Sequence, residues 1–210
     1  MIGLISLDKM PMVKLANKQN AKEGRIKGRL HWSSSPDRGL DNLLYCLPWI
    51  KEKVPEAHIA CFYGLNNLQK MNPQLAVVIE DSIKVAGEDS IQFYGRVGQD
   101  ELAKEWKKAD VWCYATAFTE TFCITAKEAQ LTGTPTVCTN LAALSTTVGE
   151  YGILVEPHAY SKEAREKFIS ETIKLMTDDE YWLTWSKKAK EGVSRIDWKS
   201  RYEDYWSKLL

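Results

Sequence analysis

From residue 26 onward, short apolar or β-branched runs alternate with stretches of helical period, and turn residues separate them. That alternation constrains the chain more than any other feature, because it is how a parallel sheet covered by helices is written. The runs RLHWSS (29–34), HIACFY (58–63), SIQFY (90–94), DVWCYA (110–115), PTVCT (135–139) and GILV (152–155) read as about six strands. Between them lie GLDNLLYCLPWIKEKV, NLQKMNPQLAVVIEDSIKVAG, DELAKEWKKA and TFCITAKEAQLTG, each with apolar residues three to four apart to cover one face of a sheet. Pro48 and Pro73 fall inside two of these and argue against continuous helix there. After residue 160 the pattern is wholly helical, and no fixed-period repeat or low-complexity tract interrupts the chain.

The segment KLANKQNAKEGRIKG is polar and without period, so residues 1–25 read as a linker or N-terminal arm of the kind to which a neighbouring domain attaches. Residues 26–210 then form one domain that includes C-terminal helices over 160–210. In DWKSRYEDYWSKLL, Trp198, Tyr202, Tyr205 and Leu209 share one helical face, which predicts a core-facing aromatic stripe. Lys plus Arg equal Asp plus Glu at 28 each, so neither nucleic acid nor an anionic membrane is expected as the main partner, and any anion site must be local. The five cysteines (Cys46, Cys61, Cys113, Cys123 and Cys138) show no C-x-x-C spacing and fall mostly in apolar runs, a pattern of reducing compartments. MIGLISL meets Asp8 and Lys9 too soon for a signal-peptide core or a membrane span. The expectation is a soluble, cytoplasmic protein without a transmembrane segment.

In an open parallel sheet, ligands bind beyond the carboxyl ends of the strands, so the chemistry is sought in the loops that follow them. SSSPDRGL places Ser33, Ser34, Ser35 and the cation Arg38 beside a helix start, where backbone amides and the dipole favour an anion. A Ser/Asp cap with a solvated Arg reads the same residues equally well. In YGRVGQDEL, Gly95 and Gly98 allow a flat ligand such as a base close to the backbone, or mark an ordinary turn with Arg96 at the surface. TETFCITAKEAQLTGTPTV holds Glu120 in a strand-to-helix loop and Glu128 on the helix. For a helix starting near Phe122, about 9 Å of rise separates that start from Glu128, near the reach from a sugar across a diphosphate to a ribose. Each carboxylate could accept paired sugar hydroxyls, with the amides of Thr121, Phe122 and Cys123 facing phosphates between them. Alternatively, Glu120 complements the helix dipole and Thr125 with Glu128 forms a capping box. His31, His58 and His158 stand alone, without metal spacing, and no D-x-D pair offers a metal site for a diphosphate.

SSSPDRGLDNLL, FYG, FYGRV with DELAKEWKKADVWCYAT, ETFCITAKEAQLTGTPTV and LAALSTTVGEYGILV occur in the order seen in glycosyltransferase family 4, which this chain resembles over residues 26 to about 160. The most specific element is the Glu, seven residues, Glu motif at Glu120 and Glu128. The resemblance implies a single C-terminal lobe of the GT-B fold: a Rossmann-like, doubly wound parallel sheet flanked by helices, with a helical C-terminal extension. It further implies donor binding by Ser33, Ser34, Arg38, Gly95, Arg96, Val97, Thr121, Phe122, Cys123 and Glu128. Arg38 takes the diphosphate, Gly95 to Val97 the base and Glu128 the ribose. Catalysis would fall to Glu120, at the sugar, and Arg38, at the leaving group.

The implied activity is retaining transfer of a hexosyl or deoxyhexosyl group from a nucleotide-diphosphate sugar to a glycan or other hydroxyl acceptor, with no metal and no other cofactor. The alternatives are a non-catalytic nucleotide-sugar-binding domain of a larger enzyme or complex, and a generic phosphate-binding Rossmann domain. Two departures bear on the site: Trp32 and Ser33 stand where many members carry a second basic residue, and Cys123 where many have Gly. A third concerns the acceptor, which family members bind mainly with an N-terminal lobe: the expectation is a lobe supplied by another segment or subunit, or else weak catalysis or hydrolysis of the donor alone.

Overall fold

The computed structural model describes residues 24–156 and 158–193. Six parallel strands, β1 (Arg29–Trp32), β2 (His58–Cys61), β3 (Ile91–Phe93), β4 (Trp112–Tyr114), β5 (Thr136–Thr139) and β6 (Ile153–Val155), form two three-stranded sheets, ordered β1-β2-β3 and β4-β5-β6. A single bridge between Leu30 and Val111 joins them edge to edge. Asp110 N donates to Arg29 O at 2.8 Å and His31 N to Val111 O at 3.2 Å across this seam. The strands therefore run in the order 3-2-1-4-5-6, a doubly wound sheet whose strand order reverses between β1 and β4. The expected doubly wound parallel sheet of about six strands is present, as two half-sheets that meet at one bridge among the described residues.

The helices are α1 (Leu40–Lys51), α2 (Asn66–Met71), α3 (Pro73–Ala86), α4 (Gln99–Lys107), α5 (Ile124–Thr132), α6 (Leu144–Thr147), α7 (Lys162–Thr177) and α8 (Asp179–Val193). One layer packs α1 against α3 and α7, the other packs α5 against α4 and α8. Every residue of β1, β4 and β5 is buried, as a sheet covered on both faces requires.

The two prolines behave differently. The helix α1 runs through Pro48 and still bonds beyond it, Glu52 N donating to Pro48 O at 3.1 Å. The next helical stretch breaks at Asn72, whose side chain caps α3 by accepting from Leu75 N at 3.1 Å, with Pro73 in the first turn, where a missing N–H costs nothing.

At the amino ends of the strands, Asp110 ties the segment before β1 to α8. Its carboxylate pairs with Arg25 at 2.6 Å and accepts from Gly28 N at 2.7 Å, while its carbonyl accepts from Trp182 Nε1 at 2.8 Å. The Arg25 guanidinium lies 4.3 Å above the Trp182 ring. The predicted stripe at Trp198, Tyr202, Tyr205 and Leu209 lies outside the described residues.

Candidate functional site

The loops that follow β1 and β4 meet where the strand order reverses, and both are held by close backbone packing. Gly39 adopts φ 105°, and a β-carbon there would stand 2.6 Å from the carbonyl oxygen of Ala115. Only glycine lets the two loops approach so closely. Beneath them, the buried Asn42 donates to Ala115 O at 3.1 Å and to Ala159 O at 2.7 Å, and accepts from Arg165 Nε at 2.7 Å. One amide on α1 thus ties that helix to the segments that follow β4 and β6 and to Arg165 of α7.

On this scaffold Arg38 and Glu120 meet, Nη1 to Oε1 at 2.9 Å. Tyr114, at the end of β4, donates its hydroxyl to the same oxygen at 2.7 Å. Among the described residues nothing donates to Glu120 Oε2. Burial works against the Arg38 charge, but Glu120 and Tyr114 outweigh it and the guanidinium pKa is raised. Burial and the Glu120 bond push the Tyr114 phenol up, and Ser34 opposes them. Phe118 supports the Arg38 guanidinium from 4.3 Å. Of the predicted serines, Ser34 is buried against this cluster, and the Ser33 hydroxyl is buried without a hydrogen-bond partner among the described residues. Ser35 precedes a 3-10 turn over Pro36–Arg38 without a side-chain cap, and Gly39 occupies the cap position of α1, so the Ser/Asp cap reading does not hold.

Cys123 is the N-cap of α5 in a left-handed conformation, φ 64° and ψ 80°. This is the position where the resemblance expects glycine, and the backbone is the one glycine favours; a β-carbon there costs about 1–2 kcal/mol. The thiol is buried, which pushes it up to about 12, and it lies within the fields of Glu120, Arg38 and Glu128. The helix starts at Ile124, two residues later than Phe122, because Cys123 leaves helical geometry. Glu128 therefore sits four residues into α5, about 6 Å of rise. Thr125 lies inside the helix and Glu128 bonds elsewhere, so the capping box is absent. Glu128 Oε2 accepts from Trp106 Nε1 at 3.3 Å. Burial raises its pKa, with the Trp106 bond opposing.

Thr121 is exposed and Phe122 half-buried in the lead into α5. Among the described residues no hydrogen bond or ring contact joins Gly95, Arg96 and Val97 to the Arg38–Glu120 pair. Gly95 takes φ 70° with open space around it, and Arg96 lies 4.6 Å above the Tyr63 ring and donates to its hydroxyl, joining the loops after β2 and β3. Arg38, Glu120, Cys123 and Glu128 thus form one group, and Gly95 to Val97 with Tyr63 another. Sequence reasoning missed Tyr114, Trp106, Tyr63 and Asn42. The position of Tyr114 at a strand's carboxyl end is a usable signal; the others depend on tertiary contacts. Among the described residues no group of three or more His, Cys, Asp or Glu could hold a metal ion, and no helix is long and apolar enough to cross a membrane.

The reversed strand order, with the charged loops of Arg38 and Glu120 at the reversal, defines a doubly wound, Rossmann-like domain. Residues 26–178 match the family described as Glycosyl transferases group 1, and the chain belongs to that family. Mannosylfructose-phosphate synthase of Agrobacterium fabrum is 28% identical over 141 residues, 64% of this chain and 30% of that protein. Phosphatidyl-myo-inositol mannosyltransferase of Mycobacterium leprae is 27% identical over 165 residues, 78% of this chain and 40% of that one. The chain spans between 30% and 42% of the length of the curated relatives it matches.

Among solved structures, a variant of S. aureus TarM in complex with UDP, α-GlcNAc-glycerol and fondaparinux is similar with a TM-score of 0.71 and 17% identity, over 91% of this chain and 37% of that one. HepE of Anabaena in complex with UDP-glucose is similar with a TM-score of 0.67 and 18% identity, over 95% and 52%. These likenesses show the fold.

Proposed function

We propose that this chain is the donor-binding lobe of a glycosyltransferase that moves a hexosyl or deoxyhexosyl group from a nucleotide-diphosphate sugar to a hydroxyl of a glycan or similar acceptor. The observation that carries the reading is the meeting of Arg38 and Glu120 at the strand-order reversal, 2.9 Å apart and braced by Tyr114. A cation there can take the charge that grows on a departing diphosphate, and the first-turn amides of α5 can share it. The open oxygen of Glu120 can accept from a sugar hydroxyl or face positive charge developing at the anomeric carbon. Glu128 then accepts from the ribose. Transfer proceeds with retention and without a metal, the diphosphate being neutralised by Arg38 and backbone amides. The five free, buried cysteines support a reducing, cytoplasmic setting.

The test is a thermal-shift panel of UDP-, GDP- and ADP-sugars followed by a labelled-sugar transfer and hydrolysis assay. A matching donor at 100 times its dissociation constant adds about 2.7 kcal/mol of stability. Glu120→Ala should abolish turnover while the fold persists. A panel in which no nucleotide-sugar raises the melting temperature overturns the proposal, and binding without turnover reduces it to a non-catalytic binding domain.

A further inference from the structure

Glu128 reaches its position with little help from its own helix. Among the described residues, the Trp106 indole is the sole donor to its carboxylate, through Oε2 at 3.3 Å, and no cation pairs with it. The donor is itself fixed. Trp106 is fully buried on α4, its ring stacked on His31 with centroids 3.6 Å apart and set edge-on to Trp112 at 6.5 Å. His31 stacks in turn on Phe62 at 4.8 Å, and Phe62 on Tyr94 at 4.9 Å. Four rings from β1, α4 and the ends of β2 and β3 therefore form one pile, and the indole N–H projects from it towards α5.

The histidine in this pile packs rather than bonds. Its Nε2 is buried with no partner among the described residues, and burial, reinforced by Arg29, holds its pKa well below the usual value. A neutral ring leaves the carboxylate to a single neutral donor. The indole N–H thereby occupies one oxygen of Glu128 and leaves the other without a protein donor among the described residues.

We propose that Trp106 is a positioning residue for nucleotide recognition: it orients Glu128 so that the remaining oxygen is presented to a vicinal diol, and so sets the preference for a ribose over a sugar lacking those hydroxyls. The inference rests on the reading of Glu128 as the ribose contact. Trp106 touches no ligand itself. It acts through the carboxylate, and its effect falls on discrimination rather than on binding as a whole.

Trp106→Phe keeps a ring against His31 and removes only the indole donor. Isothermal titration of the full chain with UDP, GDP and ADP and with their 2′,3′-dideoxy forms gives the ribo-to-dideoxy affinity ratio for wild type, Trp106→Phe, Glu128→Gln and the double variant. Trp106→Phe should lower the ratio roughly three- to tenfold, the worth of one net hydrogen bond. The double variant should go no lower than Glu128→Gln alone, because both changes remove one device. If Glu128→Gln abolishes the ratio and Trp106→Phe leaves it at the wild-type value, the positioning role is overturned while the ribose reading stands. If Glu128→Gln leaves the ratio unchanged, the ribose reading fails and takes this inference with it. An equal loss for both nucleotide forms in Trp106→Phe marks a merely structural role and also overturns it. In the unaltered chain with 15N-labelled tryptophan, the Trp106 indole signal should move on adding the ribonucleotide and much less with the dideoxy form. Equal movement with both overturns the proposal even where Trp106→Phe does not fold.

Discussion

Replacing Gly39 by alanine should damage this protein more than its size suggests. The backbone at Gly39 has φ 105°, and the added methyl would sit 2.6 Å from the Ala115 carbonyl oxygen and 3.1 Å from the Thr116 Cα. The torsion alone costs an L-residue about 1–2 kcal/mol. The clash is with backbone that cannot swing aside, and Asn42 holds the same carbonyl from below at 3.1 Å. Overpacking of that kind adds about 1–3 kcal/mol. The sum, roughly 2–5 kcal/mol, corresponds to about 5–20 °C in melting temperature for a domain of this length. Two controls separate the contributions. Gly95→Ala meets nothing within 4 Å but has φ 70°, so it should lose only the torsional part. Gly64→Ala has open space and no positive φ, and should stay within about 0.5 kcal/mol of wild type. Urea denaturation of the three variants measures the series. Because the strain would be relieved by pushing the loop after β1 away from β4, Gly39→Ala should also weaken nucleoside-diphosphate binding. A Gly39→Ala protein that unfolds with Gly64→Ala would refute the close-approach argument.

Arg38→Ala should weaken a nucleoside diphosphate roughly tenfold or more while leaving the free nucleoside nearly unaffected, since a hydrogen bond to a charged group contributes about 1.5–3 kcal/mol; equal losses in calorimetric titrations would count against a phosphate contact. Glu128→Gln should alter how stability depends on pH. The folded protein raises the Glu128 pKa and so holds that proton more tightly than the unfolded chain, which means stability falls as pH rises from the ordinary carboxyl value through the raised one. The glutamine variant lacks this slope and should gain stability relative to wild type between pH 4 and pH 7, a gain that urea melts at the two values measure; a constant difference would exclude the linkage. EDTA should change neither donor binding nor transfer, and activity restored only by added divalent cation would contradict the metal-free reading.

The elements that sequence revealed best are those whose signal is local. All six strands lie inside the runs identified from β-branched and apolar residues, and β1, β4 and β5 are buried at every position, as strands covered on both faces are. Their ends are shorter: Ser33 and Ser34 leave the ladder after Trp32 to form the loop carrying Arg38. Asn72 and Pro73 ended one helix and began another, as a capping residue followed by proline should, whereas Pro48 was absorbed into α1. The helix α5 starts two residues later than Phe122, the start that the sequence suggests, because nothing in the letters T-F-C-I says that a cysteine takes a left-handed conformation. Trp106 and Glu128 are 22 residues apart on different helices, so their bond follows from how α4 and α5 pack and has no local sequence signal. The seam between β1 and β4 was equally silent, being a matter of how far two edges pair before they diverge.

That seam has a mechanical consequence. Arg38 hangs from the half-sheet of β1, β2 and β3, and Glu120 from the half-sheet of β4, β5 and β6, while the ladder between the halves is reduced to the bridge at Leu30 and Val111. A group seated between the guanidinium and the carboxylate therefore bears on both half-sheets at once, and neither half alone presents both charges.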